Sequence, residues 1–188
     1  MKLLITFTLL TIWFATIGQT FDTEFKYTDS TKKGIIVQNS FPKGGQVYTD
    51  PTGKDFRYVI FWTRVINETA YPLELTINFP ADSFAIPSAP DNYFKLLIPL
   101  DTMTLDKEPL FDYGLIGLKS FLDTSLNKPT MLQRTINPKD ACLFYVIDLH
   151  HRGVKGVVRA AFSLKEQYFF YRVNDKEIPC GQLVYKKL

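Results

Sequence analysis

The stretch FWTRVINETAYPLELTINFP, residues 61–80, limits the possible folds more than any other part of this chain. Over residues 58–66, Tyr58, Ile60, Trp62 and Ile66 fall on one side of an extended backbone and Val59, Phe61 and Val65 on the other. Successive side chains of a strand point to opposite faces, so a strand apolar on both belongs in the middle of a sheet covered on both sides. Residues 73–79 read differently: Leu73, Leu75, Ile77 and Phe79 share one face, while Glu74, Thr76 and Asn78 share the other. That alternation predicts a strand with one wet face. The link between them is then a corner, where Asn and Thr side chains bond readily to nearby backbone. Asn67-Glu68-Thr69 also matches the acceptor pattern for N-glycosylation, which makes Asn67 a candidate glycosylation site.

The rest of the chain has the same character. Its 16 Phe, 10 Tyr and many β-branched residues suit pleated, half-buried surfaces. Strands are predicted at residues 34–41, 84–86, 93–98, 131–136, 143–149, 157–164, 168–173 and 183–185, with an edge strand or loose arm before residue 34. Pro42-Lys43-Gly44-Gly45 reads as a break, and residues 86–92 as a Pro-containing loop. Asp50-Pro51-Thr52-Gly53 carries the residues of a type I turn and predicts a hairpin-like reversal. Leu115, Leu118, Leu122 and Leu126 recur at helical spacing, so one short helix is expected there, with Asp112 as its N-cap. The fold class that follows is all-β: an antiparallel Ig-like β-sandwich with one short helical connection, a closed barrel being the rival.

The chain opens MKLLITFTLLTIWFATIGQT, one Lys followed by an apolar run too short to span a bilayer and then small residues. This predicts a signal peptide over residues 1–18, cleaved after Gly18 or, second, after Thr20, and hence a secreted or periplasmic protein with no transmembrane segment after cleavage. Residues 19–33 then form an arm or edge strand, and residues 34–188 a single β-sandwich domain. A net charge of +3 with no basic cluster is no footprint for nucleic acid.

Cys142 and Cys180 are the only cysteines, and in an oxidising compartment an even count favours a structural disulfide over two buried thiols. In the chain-entropy model such a bond contributes about 4 kcal/mol. His150 and His151 are the only histidines; on a strand, His150 shares a face with Asp148 and His151 points away. The pair is too few for a metal site on its own, and no serine sits in a nucleophile elbow. No cofactor is expected. In Tyr168-Phe169-Phe170-Tyr171, alternation sends one aromatic pair to the core and leaves the other under a loop or exposed as a binding face.

The segments VIFWTRVINETAYPLELTINFPADSF, LQRTINPKDACLFYVIDL, KEQYFFYRV and IPCGQLVY together resemble a group of uncharacterised exported β-sandwich proteins of Gram-negative bacteria. The resemblance implies an exported β-rich domain and assigns no activity; more loosely, the strand, Asn-x-Thr link and second strand are similar to Ig-like extracytoplasmic domains. The expected function is therefore non-catalytic recognition of an envelope, glycan or protein partner. The alternatives are a small hydrolase using carboxylates, and an Ig-like proteinase inhibitor presenting residues 84–92 as a rigid loop.

Overall fold

The computed structural model describes residues 21–28 and 34–186; the expected signal peptide and its cleavage bonds lie outside them. Twelve strands follow one another: β1 (Thr23–Thr28), β2 (Gly34–Asn39), β3 (Lys43–Thr49), β4 (Asp55–Asn67), β5 (Leu73–Phe79), β6 (Phe84–Ile86), β7 (Ala89–Leu97), β8 (Thr130–Ile136), β9 (Ala141–His150), β10 (Ala160–Lys165), β11 (Tyr168–Val173) and β12 (Lys176–Tyr185). Between β7 and β8 lie two 3-10 turns and one helix, α1 (Leu118–Ser125). The first sheet runs β1-β2-β4-β9-β7-β6, with β3 also paired to β4; the second runs β10-β11-β12-β5-β8. Every pairing is antiparallel. The expected all-β sandwich with a single short helix is the fold observed.

β4 shows how composition sets position. Its start pairs with β3 and its end with β2, while β9 runs along its other edge. The two apolar faces then enter two cores. Val59, Phe61 and Val65 point between the sheets, where they meet Leu73, Leu75, Ile77, Phe79, Phe162 and Phe169. Tyr58, Ile60 and Trp62 point the other way and are covered by the irregular connection through Met103, Tyr113, Leu122 and Leu126. β5 has the predicted single wet face, with Leu73, Leu75, Ile77 and Phe79 buried and Asn78 exposed.

Three local expectations are corrected. Pro42-Lys43-Gly44-Gly45 does not end the sheet: β3 begins at Lys43 and passes through a bulge between Gly44 and Val47. Gly44 has φ +109 there, and a Cβ on it would stand 2.9 Å from the Tyr58 carbonyl oxygen, so glycine marks close strand contact rather than a break. The Pro-containing segment 86–92 is likewise mostly strand, because β6 and β7 form a hairpin across it. Asp112 does not cap α1. It sits one turn earlier at φ 47, beside Tyr113 at φ 56, and α1 is preceded by Gly117 in the left-handed region. The predicted reversal at residues 50–53 is present: Asp50 Oδ1 accepts from the Thr52 N–H (2.9 Å), the Thr52 hydroxyl (2.7 Å) and the Lys54 N–H (2.9 Å).

Side chains of the first sheet also bond to the backbone of β10. Asn39, 2% exposed, donates from Nδ2 to the Phe162 carbonyl (3.1 Å) and accepts at Oδ1 from the Phe162 N–H (2.9 Å). The Tyr27 hydroxyl accepts from the Leu164 N–H at 2.7 Å. The segment before residue 34 is thus an edge strand, β1, rather than a loose arm, over its described residues.

Candidate functional site

The end of β9 carries the densest polar chemistry. Its even-numbered residues face the space between the sheets, so Phe144 and Val146 lead to Asp148 and His150 on one line. The parity expected from sequence therefore holds: His150 Nδ1 lies 3.1 Å from Asp148 Oδ1, with Asp148 0% and His150 3% exposed. His151 turns the opposite way, stacks on Tyr93 at 5.3 Å between ring centroids, and accepts the Tyr93 N–H at Nδ1 (3.0 Å). In register, His150 lies between Arg57 of β4 and Phe94 of β7. The His150 ring stands 5.2 Å from the Phe94 ring, which holds it on its apolar side.

Beyond His150 the sandwich opens into a cleft of about 510 Å³, whose walls include Lys43, Gly44, Arg57, Val59, His150 and Val157. Arg57 leans over its rim, donating from one terminal nitrogen to the Gly45 carbonyl at 3.0 Å. Lys43 is held back from the cleft: its ammonium donates to the Glu108 carbonyl and, at 2.9 Å, to that of Leu110. Sequence reading missed Arg57. Its place opposite His150 is a matter of β4–β9 register, which no local pattern encodes.

Below the cleft, polarity is poorly compensated. Asp148 Oδ2 and the Tyr171 hydroxyl are buried with no hydrogen-bond partner among the described residues. Burial raises the Asp148 carboxyl above its ordinary range, against the opposing pull of the His150 hydrogen bond. Burial also pushes the Tyr171 phenol far up, and the nearby Asp148 charge adds to this. Among the described residues, no group of three or more His, Cys, Asp or Glu side chains converges as a metal site.

The aromatic run of β11 divides as alternation requires. Phe169 and Tyr171 are fully buried, Tyr168 is 48% exposed, and Phe170 is half-buried beneath the Lys165 ammonium, 4.6 Å from its ring centre. The pairing registers place Lys165, Tyr168, Gln182, Thr76 and Gln133 in one row across the outer face of the second sheet. Four of the five are exposed and Thr76 is half-buried. One tyrosine ring thus stands in a row of amide and hydroxyl groups.

The remaining candidate positions are architectural. Asn67 is 0% exposed: Nδ2 donates to the carbonyls of Tyr71 (2.8 Å) and Ile136 (2.9 Å), and Oδ1 accepts from the Thr69 N–H (2.9 Å) and hydroxyl (2.7 Å). Both Nδ2 hydrogens are committed, so the folded corner leaves the amide nitrogen no room for a glycan. The expected Cys142–Cys180 disulfide is not formed; both thiols are unbonded. Cys142 faces inward opposite Val65, near the Asn67 corner, whereas Cys180 is the extra residue of a β11–β12 bulge on the other sheet. It stands roughly 16 Å along β12 from Tyr185 at that corner, and the sheets add about 10 Å more, beyond the reach of an S–S bond. Burial raises the Cys142 thiol to about 11, which makes it a poor nucleophile. Residues 84–92 form a hairpin with Pro87, Ser88, Pro90 and Asp91 exposed, and its Asn92 is buried and bonded to the Arg152 carbonyl (2.7 Å).

The fold and site define a protein class no narrower than an antiparallel, two-sheet all-β protein with an open-ended cleft. Compared with family models, curated proteins and solved structures, the chain matches none.

Proposed function

We propose that this chain is an exported, non-catalytic β-sandwich that recognises a glycan of the cell envelope or of a partner protein through the outer face of its second sheet. The observation that carries this reading is the row formed by Lys165, Tyr168, Gln182, Thr76 and Gln133. An exposed phenol ring beside amides and hydroxyls on rigid strands offers a sugar an apolar face to stack on and donors and acceptors for its hydroxyls. The resemblance of four segments to exported proteins of Gram-negative bacteria and, separately, the apolar run after Lys2 support an encounter outside the cytoplasm. Among the described residues no helix is long and apolar enough to cross a membrane.

A glycan array with the mature protein tests the proposal. Binding that falls at least tenfold in Tyr168→Ala and severalfold in Gln182→Ala supports it. Binding that neither substitution weakens removes the outer face as the site.

A second reading, the small hydrolase, draws on the Asp148–His150 pair beside the cleft. It predicts turnover of ester or glycoside substrates that His150→Asn abolishes while the folded state survives.

A further inference from the structure

The end cleft has a chemistry of its own, separate from the outer face. Three observations define it. Arg57 brings a guanidinium to the rim; one of its terminal nitrogens is anchored on the Gly45 carbonyl, and its other N–H groups have no partner among the described residues. His150 lines the same cleft and lies directly opposite Arg57 in register, so their Cβ atoms stand about 5 Å apart on one face. Val59, Val154, Val157 and Val158 supply an apolar wall.

The state of His150 follows from what lies beneath it. Asp148 is fully buried and its only hydrogen-bond partner among the described residues is His150 Nδ1, 3.1 Å from Oδ1. A carboxylate buried this deeply is costly unless a positive charge or a proton compensates it. A proton on Oδ1 provides this compensation: burial raises the Asp148 carboxyl, the acid donates from Oδ1 to Nδ1, and the ring hydrogen then stands on Nε2, the nitrogen turned away from Asp148. The cleft thus presents two donors, a guanidinium and an imidazole N–H, beside valine side chains.

The geometry points to a binding site for a small amphiphilic anion, whose oxyanion head is clamped between Arg57 and His150 and whose hydrocarbon body lies against Val59, Val154 and Val157. A volume of about 510 Å³ suits a small molecule rather than a peptide chain. A carboxylate and a phosphate monoester share the required head, and both match the fork of an arginine.

Calorimetric titration of the folded protein with octanoate, octyl phosphate, inorganic phosphate and octanol tests the inference and separates the two heads. The expected result is saturable, one-to-one binding of octanoate or octyl phosphate, at least tenfold tighter than inorganic phosphate or octanol. The tighter of the two amphiphiles identifies the head. Arg57 is on the rim, so Arg57→Gln keeps the fold and is expected to weaken the amphiphile at least tenfold while leaving octanol unchanged. Val157→Ser, at an exposed position, removes apolar wall without adding charge, and is expected to weaken the amphiphile and spare inorganic phosphate. Three results overturn the inference: no binding of either amphiphile, octanol binding as tightly as they do, or unchanged affinity in Arg57→Gln. Inorganic phosphate binding as tightly as octyl phosphate removes the apolar half of the site and overturns it as well. The outer-face glycan test is unaffected by any of these outcomes.

Discussion

The two cores on either side of the first sheet are built from similar residues and solve the problem of buried polarity differently. Under the irregular cover, four tyrosines each find a partner for the hydroxyl: Tyr48 on Asp123 (2.8 Å), Tyr58 on Asp112 (2.9 Å), Tyr113 on the Phe41 carbonyl (2.6 Å) and Tyr145 on the Tyr113 carbonyl (2.8 Å). Between the sheets, Tyr171 and Asp148 Oδ2 have none among the described residues. The difference is geometric. An irregular segment exposes carbonyls and carboxylates toward the sheet it covers, whereas two facing sheets spend their backbone groups on their own ladders and, except along the free edge of β10, offer each other side chains. The cover is not perfect, since Trp62 Nε1 and Asp112 Oδ1 are also unpartnered. Even so, hydroxyl bonds fasten the cover, while aromatic packing fastens the sandwich.

The largest expected effect falls on that packing. Phe162, 0% exposed, contacts the rings of Phe79, Phe144, Phe169 and Tyr171, so Phe162→Ala is expected to lower unfolding free energy by about 3–5 kcal/mol in urea titration. A loss under about 1 kcal/mol would show that the inter-sheet core collapses around the gap and that aromatic packing does not fasten the sandwich.

A sharper comparison removes one hydroxyl from each core. Tyr58→Phe strands the Asp112 carboxyl, itself raised by burial, and is expected to cost about 1–3 kcal/mol. Tyr171→Phe removes an unpartnered hydroxyl and is expected to change stability by less than about 0.5 kcal/mol, in either direction. Equal losses in the two variants would end the distinction between the cores.

The smallest effect is one of pH. Because burial holds the Asp148 carboxyl above its ordinary range, the folded protein binds that proton more tightly than the unfolded chain. This contribution is complete below the unfolded carboxylate pKa and is lost as pH rises through the folded value. Asp148→Asn keeps an acceptor for the His150 ring and has no proton to lose. Its urea midpoint relative to the parent protein is therefore expected to improve between pH 3 and pH 7. A constant difference over that interval would show that Asp148 titrates normally.

What the sequence disclosed is what periodicity can carry. The doubly apolar β4, the half-wet β5, the turn at Asp50 and the division of the Tyr168–Tyr171 run all follow from parity or turn chemistry in a single segment, and so does the shared face of Asp148 and His150. What it concealed depends on partners. Gly44 and Gly45 resemble a break until β4 lies alongside and turns them into a bulge. Asp112 resembles a cap because local pattern does not include the left-handed turn that swings it onto Tyr58. The cysteines match a disulfide by count and by the compartment expected from the sequence, but their separation is fixed by strand register and by sheet assignment. Arg57 became a candidate only once β9 was beside it.

The bonds from Asn39 and Tyr27 to β10 have a consequence for life at high concentration. β10 is the outermost strand of the second sheet, and the free rim of such a strand is a template onto which another chain can dock and start a fibre. The amide of Asn39 occupies the Phe162 N–H and carbonyl as a neighbouring strand would, and the Tyr27 phenol occupies the Leu164 N–H next along. The first sheet thereby plugs the growing end of the second, and an aromatic-rich, strand-rich chain is kept from polymerising through it.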